Sequence, residues 1–269
     1  MKVALVAIAK NENEYLVEWC QWYKDLGIEK IYIYDNNNID GEHPQDVLSD
    51  FINDGFVEIV DWRGKRGDSR KEYSGCSVQG LAYTDWWNKW HNLYDWCCIF
   101  DIDEFLLLIK YKTLDAFLSK YSEVTEVKVQ WIVYGDNGNI HKTTGGVRER
   151  FNSFTNAHKS KQIKSILNCK KKINPKFHAH GLLDVSDAVN TLGVKVRCVW
   201  KDCTTFDNLP AYLEHYITKS TEEYLNRKWK QPDALRGDIN HNKEFIKKRY
   251  FKYNTKTNQK EEFFDSFCK

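Results

Sequence analysis

Apolar and polar positions alternate along the first hundred residues in two different rhythms. "KVALVAIA" (2–9) is an unbroken apolar run of strand length. "NENEYLVEWCQWYKDLG" follows, with apolar residues at 15, 16, 19, 20, 23 and 26, a helical spacing closed by Gly27. Asn11 with Glu14 three residues on has the form of a capping box. "KIYIYD" (30–35) alternates as a strand, "QDVLSDFINDG" (45–55) as a helix, and "FVEIVDW" (56–62) as a third strand. "SVQGLAYTDWWNKWHNLY" (77–94) reads as a long helix whose Trp86, Trp87 and Trp90 face a core, and "WCCIFD" (96–101) as a fourth strand.

Strands alternating with helices over short connections predict a parallel sheet with helices on both faces. Such sheets bind ligands at the carboxyl ends of their strands. Those ends are "AKNE" (9–12), "YDNNN" (34–38), "DWRGKRGDSR" (61–70) and "DIDE" (101–104), all polar. After residue 110 the rhythm changes. "TLDAFLSKY" is a short helix, "EVKVQWIVYG" (126–135) a strand, and "GDNGN" (135–139) a turn. "LPAYLEHYITKSTEEYLNRKWKQ" (209–231) reads as mainly helical. His178 and His180 in "KFHAHG" alternate as on a strand, which suits a metal pair, a structural role or an acceptor contact. The expected organisation is one domain over 1–237, with halves 1–110 and 111–237, and a basic extension over 238–269.

The chain has 269 residues and a net charge of +2, which gives no general affinity for nucleic acid. Lysines concentrate in 159–172 and 243–260, where a solvated face or a contact with anionic headgroups or phosphate is expected. The N-terminal run lacks a small-residue cleavage site, and no apolar run is long enough to span a bilayer, so a cytoplasmic location is expected. The eight cysteines contain no CxxC pair, which fits buried free thiols better than zinc or a disulfide scaffold.

The chemistry is concentrated in "DWCCIFDIDEFLLL" (95–108), where Asp101, Asp103 and Glu104 lie inside an apolar run. Buried charges need partners. Asp101 and Asp103 in a D-x-D at a strand end offer oxygen ligands to a hard cation such as Mn²⁺ or Mg²⁺, which commonly holds nucleotide phosphates. Acidic pairs beside apolar runs also serve as helix caps. No Walker A loop and no G-x-G-x-x-G are present, so a nucleotide must be held by side chains and a metal.

The segments "AIAKNENEYLVEWCQWYKDLGIEKIYIYDNNNIDG", "VQGLAYTDWW", "WCCIFDIDEFL", "WIVYGDNG", "RERF" and "LEHYITKS", in that order, resemble the nucleotide-sugar glycosyltransferases of the A-type fold, closest to glycosyltransferase family 92 and its bacterial family 2-like relatives. The family more often has Phe-Gly-Ser-Ser-Gly where this chain has "YGDNG". The resemblance implies an A-type, Rossmann-like mixed α/β sheet with a mainly parallel N-terminal half, helices on both faces and a C-terminal helical extension. It implies a metal-dependent, inverting hexosyltransferase using a UDP-sugar, with a glycan or lipid-linked glycan as acceptor, in surface polysaccharide or lipopolysaccharide synthesis. Peripheral contact with the inner membrane face through the basic C-terminal segment is expected, and no nucleic acid partner.

Carried over to this chain, the resemblance implies that Ala9, Asn11 and Glu12 line the uracil and ribose pocket and that Asp35 lies near the base. Asp101 and Asp103 would hold the metal, with Asp103 the direct ligand and Glu104 orienting the loop. His215 would complete the metal site and Lys219 would touch the diphosphate; on a helix the two share a face. One of Arg63, Lys65, Arg66 or Arg70 adds positive charge against the leaving diphosphate. An inverting reaction needs a carboxylate base. Asp136, Gly-flanked after a strand, is the first candidate and Glu149 in "RERF" the second. The competing readings are a sugar-nucleotide nucleotidyltransferase, which usually carries a Gly-rich loop after the first strand, and an inactive sugar-binding module.

Overall fold

The computed structural model describes residues 1–68, 75–154, 157–173, 176–184, 186–202, 207–230 and 243–268. The chain forms two compact units, each discontinuous in sequence. Unit 1 comprises Met1–Trp131 and Ser160–Leu213, and unit 2 comprises Ile132–Lys159 and Glu214–Lys269.

Unit 1 opens with the expected alternation: β1 (Val3–Ala9), α1 (Asn13–Leu26), β2 (Lys30–Asp35), α2 (Gln45–Asn53), β3 (Val57–Asp61), α3 (Val78–Trp90) and β4 (Trp96–Ile99). There follow β5 (Glu104–Leu108), α4 (Leu114–Leu118), β6 (Glu126–Tyr134), α5 (Val147–Arg150), β7 (Ala157–Asn168), β8 (Phe177–His178), β9 (Gly181–Leu182), β10 (Ala188–Asn190) and β11 (Ala211–His215). The sheet runs β3-β2-β1-β4-β7-β6-β11-β5, with β10 beside β6. The pairs β3–β2, β2–β1 and β1–β4 are parallel, and β7 joins β4 antiparallel. The result is a mixed α/β sheet, as the resemblance implies, whose N-terminal half is parallel, as the pattern predicts.

Side chains alternate across a strand. Ala4 and Val6 of β1, Tyr32 and Tyr34 of β2, and Cys97 and Ile99 of β4 meet Val78, Ala82, Tyr83, Trp86 and Trp87 of α3 in one core. The other face, with Val3, Leu5, Ala7, Ile31, Ile33 and Cys98, is equally buried. This explains why "VALVAIA" is apolar throughout. Helix α3 is capped by Ser77, whose hydroxyl accepts from Gly80 N–H. Gly80 is required for packing: a Cβ there would lie 2.3 Å from the Phe177 carbonyl oxygen.

Three local expectations change. The Asn11–Glu14 capping box does not form; Glu12 is the N-cap of α1 and makes no side-chain cap bond, although Gly27 closes the helix in the left-handed region as expected. His178 and His180 lie on a two-residue hairpin, with rings stacked 5.2 Å apart. Residues 209–231 are not one helix: they hold strand β11, then α6 (Thr221–Leu225) and a π-helical turn Asn226–Lys230. "AYLEH" has burial on every residue, and a fully buried strand lacks the alternation that distinguishes it from a helix.

Unit 2 contains α5, α6, α7 (Lys243–Phe251) and α8 (Asn258–Phe267). Tyr224, Leu225, Ile246, Tyr250 and Phe264 form its core. The expected C-terminal helical extension is thus present, with its own buried residues. Among the described residues the cysteines are free, and no helix is long and apolar enough to cross a membrane.

Candidate active site

The carboxyl edge of the parallel strands is tied together by polar bonds within unit 1. Register sets Ala9 beside Asp35, and Asp35 beside Asp61. Asn11 follows β1 in the left-handed conformation that Asn tolerates, with φ of 57°. Its N–H donates to Asn37 Oδ1 at 2.8 Å. Asp35 Oδ1 accepts from the backbone and side chain of Asn37, and Arg63 lies 2.8 Å from Asp35 Oδ2. Arg63 also donates to the carbonyls of Asn38, Ile39 and Glu42. Arg63 is therefore committed to clamping the loop after β2, which removes it from the group of cations available to a diphosphate. Lys65 lies 4.7 Å over the Trp62 ring. Arg70 lies outside the described residues. Ala9 and Glu12 are buried at this edge.

β1 pairs with β4 so that Val6 stands beside Ile99, and the turn leaving β4 emerges at the same edge. That turn is the D-x-D. It joins β4 to β5, a strand that the apolar reading of 95–108 did not separate. Three contacts fix it from below. Glu104 Oε2 accepts from Asp101 N–H at 3.0 Å. The Glu104 carbonyl accepts from Trp19 Nε1 at 3.0 Å and from Tyr23 Oη at 2.9 Å, so the apolar stripe of α1 also carries the donors that pin the turn. Asp103 is buried, and Asp101 is half-buried.

The question of what balances these carboxylates has a direct answer. Lys164, on β7, is wholly buried and places Nζ 2.7 Å from Asp101 Oδ1. Gln79 Nε2 donates to the same oxygen at 3.0 Å. Burial works against the charge of Lys164, but Asp101 foremost, with Tyr83 and Glu104, holds its pKa above the ordinary lysine value. Burial pushes the Glu104 carboxyl well up; Lys164 opposes this, and Asp101 and Asp103 add to it. Lys164 and Gln79 escaped the sequence reading. The available signal was a lysine inside the strand-like stretch "KQIKSILN", where burial without a partner is costly.

Within unit 2, His215 ends β11 and is buried, so it does not sit on a helix face with Lys219. Lys219 is buried in a turn with φ of 52°, just before Ser220, which caps α6 through a complete capping box with Glu223. Among the described residues no three His, Cys, Asp or Glu side chains form a metal-holding cluster.

Asp136 is buried and heavily bonded. Lys260 Nζ lies 2.5 Å from its Oδ2, Tyr250 Oη donates to the same oxygen, and Gly138 N–H donates to Oδ1 at 2.8 Å. The Asp136 N–H donates to Asn254 Oδ1 at 2.6 Å. This carboxylate ties the "GDNG" turn to α7 and α8. The "RERF" motif divides its labour by direction. Arg148 pairs with Glu214 at 2.7 Å, and Arg150 binds Glu223 through two 2.8 Å bonds. Glu149 between them is exposed.

Comparison with known proteins decides the family. The family model of glycosyltransferase family 92 matches residues 6–263. The chain belongs to glycosyltransferase family 92. A family 92 protein of Ricinus communis is 24% identical over 150 residues, which are 54% of this chain and 25% of that protein. The chain thus matches about a quarter of the length of that curated relative. Among solved structures, S. aureus TarS 1–349 is similar with 8% identity and a TM-score of 0.40, over 99% of this chain and 70% of that one. TarS 1–349 in complex with UDP gives 9% identity and a TM-score of 0.36, over 63% and 47%. The family 92 resemblance carried by the sequence motifs is borne out.

Proposed function

We propose that this family 92 chain is a metal-dependent hexosyltransferase that moves a sugar from a UDP-sugar to a glycan or lipid-linked glycan, with inversion, in surface polysaccharide or lipopolysaccharide synthesis. The observation that carries the proposal is the D-x-D turn, fixed by Glu104, Gln79 and Lys164 at the carboxyl edge of the parallel strands. Oxygen donors from Asp101 and Asp103 suit a hard cation, Mn²⁺ or Mg²⁺, as a two-carboxylate half-site completed by water and phosphate oxygens. When bound, the cation neutralises charge on the leaving diphosphate.

The chain's own groups divide the remaining work. Asp101 is held in one orientation by its two side-chain donors, which spares the cost of ordering it on binding. Asp103 is assigned as the direct ligand, and His215 as a further one. Lys219 is assigned to the diphosphate. Ala9, Asn11, Glu12 and Asp35 are assigned to the nucleoside, where Arg63 keeps the loop after β2 in place. With Asp136 engaged by Lys260 and Tyr250, Glu149 becomes the assigned base for the acceptor hydroxyl. Lys248, Arg249 and Lys252, with the exposed Phe245 on α7, support peripheral attachment to anionic headgroups. A thermal-shift panel of nucleotide-sugars with Mn²⁺ tests the proposal. UDP-sugars should stabilise the protein by mass action only when Mn²⁺ is present. Equal stabilisation by all nucleotides, or none by any, overturns it.

A further inference from the structure

Lys164 enters the mechanism above only as a donor that orients Asp101, yet its placement is specific. β7 runs antiparallel to β4 with Ser165 opposite Ile99, so Lys164 lies level with the start of the D-x-D turn. Its ammonium is held by Asp101 Oδ1 at 2.7 Å and the Ala179 carbonyl at 2.9 Å, and its side chain is 1% exposed. Asp101 itself is 28% exposed, so the pair joins an interior ammonium to a carboxylate that reaches solvent. Oδ1 is occupied by two donors, Lys164 and Gln79.

Charge decides what such a site prefers. Asp101, Asp103 and Lys164 together sum to one negative charge; without Lys164 the two carboxylates would present two. Attraction of a free divalent cation to Asp101 is offset by repulsion from the ammonium a short distance behind it. A nucleoside diphosphate is affected in the opposite sense, because the ammonium reduces the repulsion that two bare carboxylates would exert on it.

We propose that Lys164 is a built-in counter-cation and positioning residue of the Asp101–Asp103 turn, which makes the carboxylate pair a weak site for a free divalent cation and a strong one for a cation already complexed with a nucleoside diphosphate. This rests on the metal-dependent reading of the site. The lysine pins one oxygen of Asp101 and sets the direction of the other. It also biases binding order, with the cation arriving together with the nucleotide.

The test is Mn²⁺ and UDP binding, each measured alone and with the other present, on the full chain, by calorimetry and by the electron paramagnetic resonance of free Mn²⁺. In the wild type, saturating UDP is expected to tighten Mn²⁺ binding by about a hundredfold. Lys164→Met is expected to tighten binding of Mn²⁺ alone by about tenfold and to weaken binding of UDP alone by about tenfold, while the coupling between the two ligands, set by their own attraction, stays near its wild-type value. Lys164→Arg keeps the charge and is expected to retain both wild-type affinities. A merely structural lysine would give a Met variant whose affinities both fall or both stay, and either result overturns the proposal. If Lys164→Met does not fold, Lys164→Gln and the wild-type coupling decide: wild-type Mn²⁺ affinity indifferent to UDP overturns the proposal. A wild type that binds UDP but binds no Mn²⁺, whether alone or with UDP present, overturns the metal reading itself.

Discussion

Asp136→Asn separates two roles that the sequence alone leaves open, base and structural hub. The substitution keeps the shape and the acceptor oxygen that receives the Gly138 N–H, but removes the charge facing Lys260. Lys260 is 3% exposed and, among the described residues, its remaining partner is the Thr255 carbonyl at 3.1 Å. An ammonium left in that position without its carboxylate destabilises a fold by about 3–5 kcal/mol. For a protein of this size that lowers the melting temperature by roughly 10 °C. The double variant Asp136→Asn/Lys260→Met removes both charges and should recover most of the loss, since replacing a whole buried pair is often near neutral. Denaturant unfolding of the four-member cycle measures the coupling. Turnover, measured well below the variant's melting temperature, should stay within about tenfold of wild type. The reasoning fails if Asp136→Asn unfolds like wild type while turnover drops by the ~10²–10⁴-fold expected for a lost general base.

Glu149→Gln should show the reverse pattern, with turnover lowered by ~10²–10⁴-fold and UDP affinity and stability unchanged in steady-state kinetics and calorimetry. Gly80→Ala should destabilise by about 1–3 kcal/mol in denaturant, because the overlap with the Phe177 carbonyl outweighs the gain in helix propensity; a stabilised variant would show that α3 moves freely away from β8. Glu223 gives a pH signature. Burial pushes its carboxyl up, but the Arg150 fork and Ser220 outweigh it and hold the pKa at about 2, below its ordinary value of 4.5. A depressed carboxyl stabilises the fold fully above its unfolded pKa, and that contribution fades as pH falls from about 4.5 toward about 2. Glu223→Gln should therefore flatten the acid limb of a stability–pH curve, and an unchanged limb would refute the assignment.

The parallel half of the sheet was legible because its strands are short apolar runs separated by amphipathic helices with clear ends such as Gly27. The D-x-D turn was legible because two carboxylates in an apolar run demand partners. The partner was not: Lys164 lies 63 residues away in sequence, and only the antiparallel register of β7 with β4 brings it to Asp101. Strand β11 was read as helix because all five of its residues are buried, which erases period two. The Asn11–Glu14 pattern matched a capping box, but Asn11 is turned into the left-handed region by its bond to Asn37, a contact between two loops that no local pattern records. In "RERF", charge alone did not say which residues brace the fold; Arg148 and Arg150 do, and Glu149 stays exposed.

The central claim is that the Asp101–Asp103 turn serves metal-dependent transfer from a UDP-sugar, and UDP release tests it most directly. Wild type and Asp103→Asn are compared with UDP-hexoses in Mn²⁺ and in excess EDTA, with circular dichroism to confirm that the variant is folded. The account predicts UDP release by the wild type in Mn²⁺, background levels in EDTA, and background levels for folded Asp103→Asn under both conditions. Full wild-type release in EDTA, or undiminished release by Asp103→Asn, would contradict it.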